Sequence, residues 1–267
     1  MKKIFRCLKN IVNKEFMKIS VIVATYNSNS TISNTLDSIL SQTYSDYEVV
    51  VKDGGSTDGT IDTLRYYSNK FEGKLKLLCC KDSGIYDAMN QAISASNGDV
   101  IGFLNSDDFF TSCRVLSTIA QKFSSNDKLD AVYADVHYVD SRDLTRVVRY
   151  YSSRLFTPEK IRAGYMPAHP TFYAKKSCYE KFGVFDPSYK VAGDFDIISR
   201  FIYINGIKTE YIPEDFVTMR TGGVSSSGFK SYLTIVREHS ASMKNNGIRM
   251  FYWGYICRYI KKIAEFK

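Results

Sequence analysis

Val100-Ile-Gly-Phe-Leu-Asn-Ser-Asp-Asp-Phe-Phe110 is an apolar run that breaks off into Asn105, Ser106, Asp107 and Asp108 and then resumes at once. A parallel strand buried on both faces reads as such a run. In open α/β sheets ligands bind beyond the carboxyl ends of the strands. Two adjacent carboxylates repel each other unless a positive charge joins them. A divalent cation with oxygen ligands, Mg²⁺ or Mn²⁺ carrying phosphates, suits such a pair. Taken alone the stretch reads equally as a strand-ending turn, because Asn, Ser and Asp are turn residues.

The pattern recurs upstream. Lys18 to Ala24 is a β-branched strand followed by Thr25-Tyr26-Asn27. Ile32, Leu36, Ile39 and Leu40 then fall at helical spacing. Tyr47 to Val51 is a second strand that ends in Lys52-Asp53-Gly54-Gly55-Ser56-Thr57-Asp58-Gly59-Thr60, where glycines permit positive φ and close approach of a ligand. A helix begins with Ile61, Leu64 and Tyr67. A third strand, Leu75 to Cys80, ends in Lys81-Asp82-Ser83-Gly84, and Ile85 to Ile93 forms a helix. Strand, polar end and helix in alternation predict a parallel α/β sheet. Neither G-x-G-x-x-G nor the P-loop pattern occurs.

Downstream the regularity weakens. Helices are predicted over 115–123, 194–204 and 229–243, a strand over 131–135, a hairpin over 136–152 and a short strand over 207–212. Phe182 to Pro187 reads as a turn and Thr221 to Gly228 as a loop.

Composition sets the outer limits. With 267 residues the chain has room for one large domain and appendages. The net charge of +8 favours an anionic partner: nucleotide phosphates, nucleic acid or a lipid surface. The six cysteines form no C-x-x-C pair, which excludes a zinc module of ordinary spacing and fits reduced, scattered thiols. No apolar run is long enough to span a membrane. Residues 1–16 read either as a basic amphipathic helix for an anionic membrane or as a loose extension ahead of Met17. The tail from 250 to 267 mixes aromatics with Arg and Lys, as interfacial helices do, and reads equally as a terminal helix packed on the domain.

Four features fall in order at strand ends: Ala24-Thr25-Tyr26-Asn27, Lys52 to Thr60, Asn105 to Asp108, and Ala192-Gly193-Asp194-Phe195-Asp196 with Arg200. In this order the chain resembles the inverting glycosyltransferases of family 2, from about Lys18 to Gly223. Asp82-Ser83-Gly84-Ile85-Tyr86-Asp87-Ala88-Met89-Asn90 is similar to a subgroup from bacterial capsule, O-antigen and exopolysaccharide clusters. The resemblance implies a GT-A fold, an α/β architecture with a mostly parallel central sheet flanked by helices. The division is then an N-terminal extension over 1–16, the GT-A domain over 17–228 and a helical, membrane-associating extension over 229–267.

The resemblance also implies roles. Thr25 and Tyr26 border the base and ribose, and Asp53 accepts a hydrogen bond from the base, uracil N3–H being the natural donor. Gly55 and Ser56 approach the nucleoside, while Asp82, Ser83 and Asn90 line the ribose or donor sugar. Ser106, Asp107 and Asp108 belong to the donor site. Asp107 matches the metal ligand of the family's D-x-D motif and Asn105 replaces its first acid. Asp194 matches the catalytic base, with Asp196 behind it, and Gly193 stands where a Glu is common. His169 either contacts the diphosphate or acceptor or is a hydrogen-bonded buried His. Arg220 either sits in a loop closing over the diphosphate or marks a plain turn. His137 and His239 read as surface residues.

The implied reaction moves a sugar from a nucleotide-sugar, with UDP as carrier and Mg²⁺ or Mn²⁺ as cofactor, to a glycan linked to a polyprenyl diphosphate. The implied location is the inner face of the cytoplasmic membrane. A sugar nucleotidyltransferase is the alternative enzyme, but it needs a Gly-rich, Arg-containing loop after the first strand, which Ala24 to Asn27 is not. A nucleic-acid-binding protein is disfavoured because the cations gather at the termini and no recognised module is present.

Overall fold

Alternation in the first half gives β1 (Ile19–Thr25), α1 (Ile32–Leu40), β2 (Tyr47–Asp53), α2 (Thr60–Lys70), β3 (Leu75–Cys79), α3 (Ile85–Ala95) and β4 (Val100–Phe103). The chain continues through β5 (Phe109–Phe110), α4 (Val115–Ser125), β6 (Ala131–Asp140), β7 (Asp143–Tyr151), β8 (Tyr173–Lys175), α5 (Lys176–Phe182), α6 (Gly193–Ile198), β9 (Thr209–Arg220), α7 (Phe229–Asn245) and α8 (Tyr252–Ala264). The structure, a computed structural model, describes residues 17–222 and 229–264, so the predicted basic helix over 1–16 and the loop residues 223–228 lie outside it.

The strands form one sheet in the order β3-β2-β1-β4-β8-β6-β9-β5, with β7 on β6. β1 pairs in parallel with β2 and β4, and β2 with β3. β8 runs antiparallel to both β4 and β6, so β6 and its parallel neighbour β9 point the same way as β1 to β4. The carboxyl ends of all these strands therefore meet at one edge. Apolar side chains alternate between two cores. Val21, Val23, Val49 and Val51 face α1, α2 and α4, while Ile22, Val50, Ile101 and Phe103 face α3 and α6. This is the GT-A architecture that the resemblance implies.

Three departures from the sequence reading have local causes. β9 reaches Arg220 although Pro213 breaks its pattern. The pairing jumps from Tyr133 opposite Tyr211 to Asp135 opposite Asp215, so Pro213 sits in an irregularity where its missing N–H costs no ladder bond. The predicted helix over 194–204 is an α-helix only to Ile198 and continues to Ile204 in wider π turns. Residues 176–182, left without an element, form α5.

The C-terminal helices pack on the domain. Glu238 of α7 accepts the backbone N–H groups of Lys190, Val191 and Ala192 at 2.9–3.0 Å, just before α6. His239, predicted at the surface, is instead buried. Its ring stacks on Phe195 with centroids 3.9 Å apart, and its Nδ1 meets the Tyr255 hydroxyl at 3.2 Å. Tyr255 anchors α8 on the 3₁₀ turn Pro158–Ala163: a Cβ on Gly164, whose φ is +77°, would lie 2.4 Å from its ring. Phe251, Tyr252, Trp253 and Ile256 of the same segment remain exposed.

Candidate functional site

The loops after β1 and β2 are laced together. The Asn27 N–H donates to Ser56 Oγ at 2.7 Å, and the Thr57 N–H returns to Asn27 Oδ1 at 2.9 Å. Ser28 N–H reaches Thr60 Oγ1 at 2.9 Å. Asp53 is fully buried, and its carboxylate accepts the N–H groups of Gly55 and Ser56 at 2.9 Å and the Ser56 hydroxyl. It holds the turn, leaving one Oδ2 lone pair for a further donor. Tyr26 projects into solvent at 64% exposure, while Thr25 Oγ1 is buried with no hydrogen-bond partner among the described residues. An unsatisfied buried hydroxyl is uncommon in native interiors.

Lys52 was passed over by the sequence reading, and it organises the donor side. Its buried ammonium donates to the carbonyls of Asp53 at 3.0 Å and Cys80 at 2.7 Å, and to Asp82 Oδ2 at 2.7 Å. All three donors are used, so the ends of β2 and β3 are pinned and Asp82 is fixed beside Gly54. Asp82 Oδ1 also accepts the Gly84 N–H at 3.2 Å, and Asp87 accepts both the N–H and the hydroxyl of Ser83. Asn90 does not line this cleft. Its amide donates to the Phe185 carbonyl at 2.8 Å and accepts the Phe185 N–H at 3.0 Å, which consumes both ends in tying the 183–187 turn to α3.

The acidic loop that follows β4 separates its two aspartates by environment. Asp108 is 1% exposed, and burial, with Asp107 beside it, pushes its carboxyl up to about 8. Asn105 Nδ2 donates to Asp108 Oδ2 at 2.9 Å, so the residue in the first motif position supports its neighbour. The Asp107 carboxylate is half-buried and takes no hydrogen bond from the described residues, which leaves it open. Ser106 Oγ meets Ser28 Oγ at 2.8 Å and ties this loop to the one after β1. Arg220 is the last residue of β9, not part of a closing loop. It hydrogen-bonds the Asp107 carbonyl, donates to Asn34 Oδ1 at 3.1 Å and lies over the Phe109 ring. Its observed contacts brace the backbone beneath Asp107.

Asp194 begins α6. Its Oδ1 accepts its neighbour's Phe195 N–H at 2.8 Å, and Oδ2 lies 3.2 Å from His169 Nδ1. His169 opens the 3₁₀ turn before β8, and β8 pairs Ala174 with Ile101, so His169 falls beyond the end of β4. The two residues thus meet on the edge that carries Asp107. Gly193 has a steric cause. A Cβ there would lie 2.7 Å from the ring of Tyr86, which is buried and receives the N–H groups of Gly193 and Asp194 at its hydroxyl. Gly193→Glu, which restores the residue common at that position, is therefore expected to destabilise the fold by about 3 kcal/mol through overpacking. Chemical denaturation checks this, and Tyr86→Ala added to Gly193→Glu should recover part of the loss.

Asp196, the second acidic candidate in this motif, faces away. It is buried and accepts Arg200 Nε at 2.9 Å, Ser242 Oγ at 2.8 Å and Asn246 Nδ2 at 2.9 Å. His137 is not a lone surface residue either: Nδ1 meets Asp215 Oδ2, and Nε2 lies 3.0 Å from Thr218 Oγ1. No cluster of three His, Cys, Asp or Glu side chains suited to a metal occurs among the described residues. The fit to a divalent cation rests on one open carboxylate at Asp107. That suits Mg²⁺ or Mn²⁺, which takes one or two protein carboxylates and completes its shell with phosphate and water.

Known proteins resemble this chain in sequence and in fold. Residues 20–188 match the family described as Glycosyl transferase family 2. WfaP of Escherichia coli, named a UDP-Glc:α-D-GlcNAc-diphosphoundecaprenol β-1,3-glucosyltransferase, is 27% identical over 240 residues, which cover 86% of this chain and 87% of WfaP. A PGL/p-HBAD biosynthesis glycosyltransferase of Mycobacterium tuberculosis is 27% identical over 193 residues, 72% of this chain and 73% of that protein. Among solved structures, S. aureus TarS 1-349 in complex with UDP-GlcNAc superposes with a TM-score of 0.67 at 23% identity, covering 86% of this chain and 67% of TarS 1-349. The mannosyltransferase PcManGT of Pyrobaculum calidifontis, in complex with GDP-Man and Mn²⁺, gives 0.66 at 20% identity, covering 92% and 71%. With the family matched over well more than half its length and the GT-A sheet beneath it, this chain belongs to glycosyl transferase family 2 and is a glycosyltransferase.

Proposed function

We propose that this glycosyltransferase moves a sugar from a UDP-sugar to a lipid-diphosphate-linked saccharide with inversion at the anomeric carbon. The observation that carries the reading is the meeting of an open carboxylate, Asp107, and a second carboxylate held by a histidine, Asp194, at one edge of the sheet. WfaP supports the choice of UDP-sugar and lipid-linked acceptor by its name.

Tyr26 offers its exposed ring to the base, and the Asp53 turn fixes the backbone that meets the nucleoside. Lys52 sets the Asp82 carboxylate for a ribose hydroxyl. Asp107 is the residue that would hold Mg²⁺ or Mn²⁺; when bound, the ion supplies Lewis-acid neutralisation of charge on the departing diphosphate. Asp194 takes the proton from the acceptor hydroxyl as it attacks. His169 orients that carboxylate, and the Phe195 N–H holds its other oxygen. A single displacement with no covalent intermediate inverts the centre, so an α-linked donor gives a β-linkage.

A screen of UDP-, GDP- and dTDP-sugars with Mn²⁺, read as release of free nucleoside diphosphate, tests the reading. UDP-sugars are expected to be turned over at least tenfold faster than the others, and a preference for GDP- or dTDP-sugars would overturn the donor assignment.

Membrane docking is part of the same proposal. Tyr252 and Trp253 are 70% and 74% exposed on α8, beside Phe251 and Ile256. Exposed aromatics beside Arg249 suit the headgroup region of an anionic bilayer. Among the described residues no helix is long and apolar enough to cross a membrane. The double variant Trp253→Ser, Ile256→Ser is expected to lower co-sedimentation with phosphatidylglycerol vesicles by about tenfold. Equal partition of the variant and the parent would sink this part.

A further inference from the structure

Beyond the end of β4 the sheet continues in β6, β7 and β9. β6 pairs Ala131 with Ala174, and Ala174 pairs with Ile101, so Asp135 and His137 stand past the level of Phe103. They share the sheet face of Ala131 and Tyr133, which packs in the same core as Phe195 and Tyr86 beside Asp194. This face therefore opens toward the base.

On it the strands assemble a seat. Asp135 is buried and accepts four donors: Tyr150 Oη at 3.0 Å, Tyr211 Oη at 2.9 Å, Ser152 Oγ at 3.0 Å and the Ser153 N–H at 2.6 Å. Three of the four meet Oδ2, which thereby fixes two tyrosines by their hydroxyls. Tyr150 lies directly across from His137, and the residue is 48% exposed. In β9 one extra residue falls between Asp215 and Val217, opposite the step from Asp135 to Val136. That bulge turns both Asp215 and Thr218 to the His137 side, where each engages one ring nitrogen. Asp215 Oδ1 is buried with no partner among the described residues, while 28% of the Asp215 side chain is exposed, so a small turn of the carboxylate presents an oxygen to a ligand. A carboxylate oxygen left unsatisfied costs free energy that a ligand donor would recover.

We propose that Tyr150, His137 and Asp215 form the seat of the acceptor sugar. The Tyr150 ring takes the apolar C–H face of a pyranose, and the Asp215 carboxylate accepts one of its hydroxyl groups. His137 is a positioning residue, clamping Asp215 against Thr218. This deepens the function proposed above and rests on Asp194 as the base. An aromatic face beside a fixed acceptor suits a saccharide, since hydroxyls donate at the ring edge while C–H bonds cover its face.

Saturation-transfer NMR on the full chain with UDP and Mg²⁺, using the methyl α- and β-glycosides of glucose, galactose, N-acetylglucosamine and N-acetylgalactosamine, tests the seat. At least one glycoside is expected to show saturation on the parent protein. That signal should fall by about fivefold or more in Tyr150→Ala and in Asp215→Asn. Tyr150→Phe keeps the ring and should retain most of it. UDP saturation should be equal in all four proteins, because none of these residues lies at the donor loops. Glycoside signals that survive both Tyr150→Ala and Asp215→Asn would overturn the seat, as would the absence of any glycoside signal on the parent. UDP saturation reports separately on the donor reading: glycoside signals lost in the variants support the seat whether or not UDP binds.

Discussion

Asp194→Asn is expected to lower kcat for sugar transfer by about a thousandfold while UDP binding stays within about twofold of the parent. The substitution keeps size and planarity. Its side-chain oxygen can still accept the Phe195 N–H that meets Oδ1 at 2.8 Å, so the start of α6 is preserved. What it loses is the ability to take a proton from a hydroxyl nucleophile. Asp196 cannot substitute, because Arg200, Ser242 and Asn246 already occupy it. His169 sharpens the test. His169→Gln retains a donor toward Asp194 and should cost less than His169→Ala, since its task is to hold the carboxylate. Single-turnover transfer assays separate these effects from product release. Transfer at near-parent rates by Asp194→Asn would remove the residue from the base role.

The second large effect is expected at Asp107. Asp107→Ala should reduce turnover by about a thousandfold, the scale of several kcal/mol of lost charge stabilisation. Mn²⁺ is expected to tighten UDP binding by the parent, and Asp107→Ala should abolish that gain. The loop itself should persist, because Arg220 grips the Asp107 carbonyl and Thr35 Oγ1 donates to the Asp108 carbonyl at 2.7 Å, both independent of the removed side chain. Calorimetric titration of UDP with and without Mn²⁺ distinguishes the outcomes. A variant that still binds UDP more tightly in Mn²⁺ would move the metal to another ligand. Asp108 offers no easy replacement, since burial holds its carboxyl well above the usual carboxylate range.

Much of this was readable in the chain. β1, β2 and β4 are buried on both faces, so each carries an apolar stretch, interrupted at Ser20 in β1 and ending at Lys52 in β2, and their ends fall abruptly to polar residues. That contrast locates the site edge without any knowledge of pairing. β5 and β8 were invisible because two and three residues carry no period, and their pairings with Thr218 and Ile101 are non-local. Asp107 and Asp194 stood out by type and place, yet their supports did not. Lys52 reaches Asp82 across 30 residues, and Glu238 reaches Ala192 across 46. Asn90 misled for the same reason: nothing local indicates that its amide is spent on Phe185. His137 looked solitary because a β9 bulge assembles its neighbours.

The sheet is joined in its middle by three residues. β8 meets β4 at two residue pairs and β6 at two more. Beyond that narrow seam, the shared cores and the contacts of Arg220 with Asp107 and Asn34 tie the flanks together. The main-chain pairing among β1 to β4 and that among β6, β7 and β9 are otherwise separate. Under the function proposed above, such a seam would let the carrier side stay fixed while the acceptor side changes.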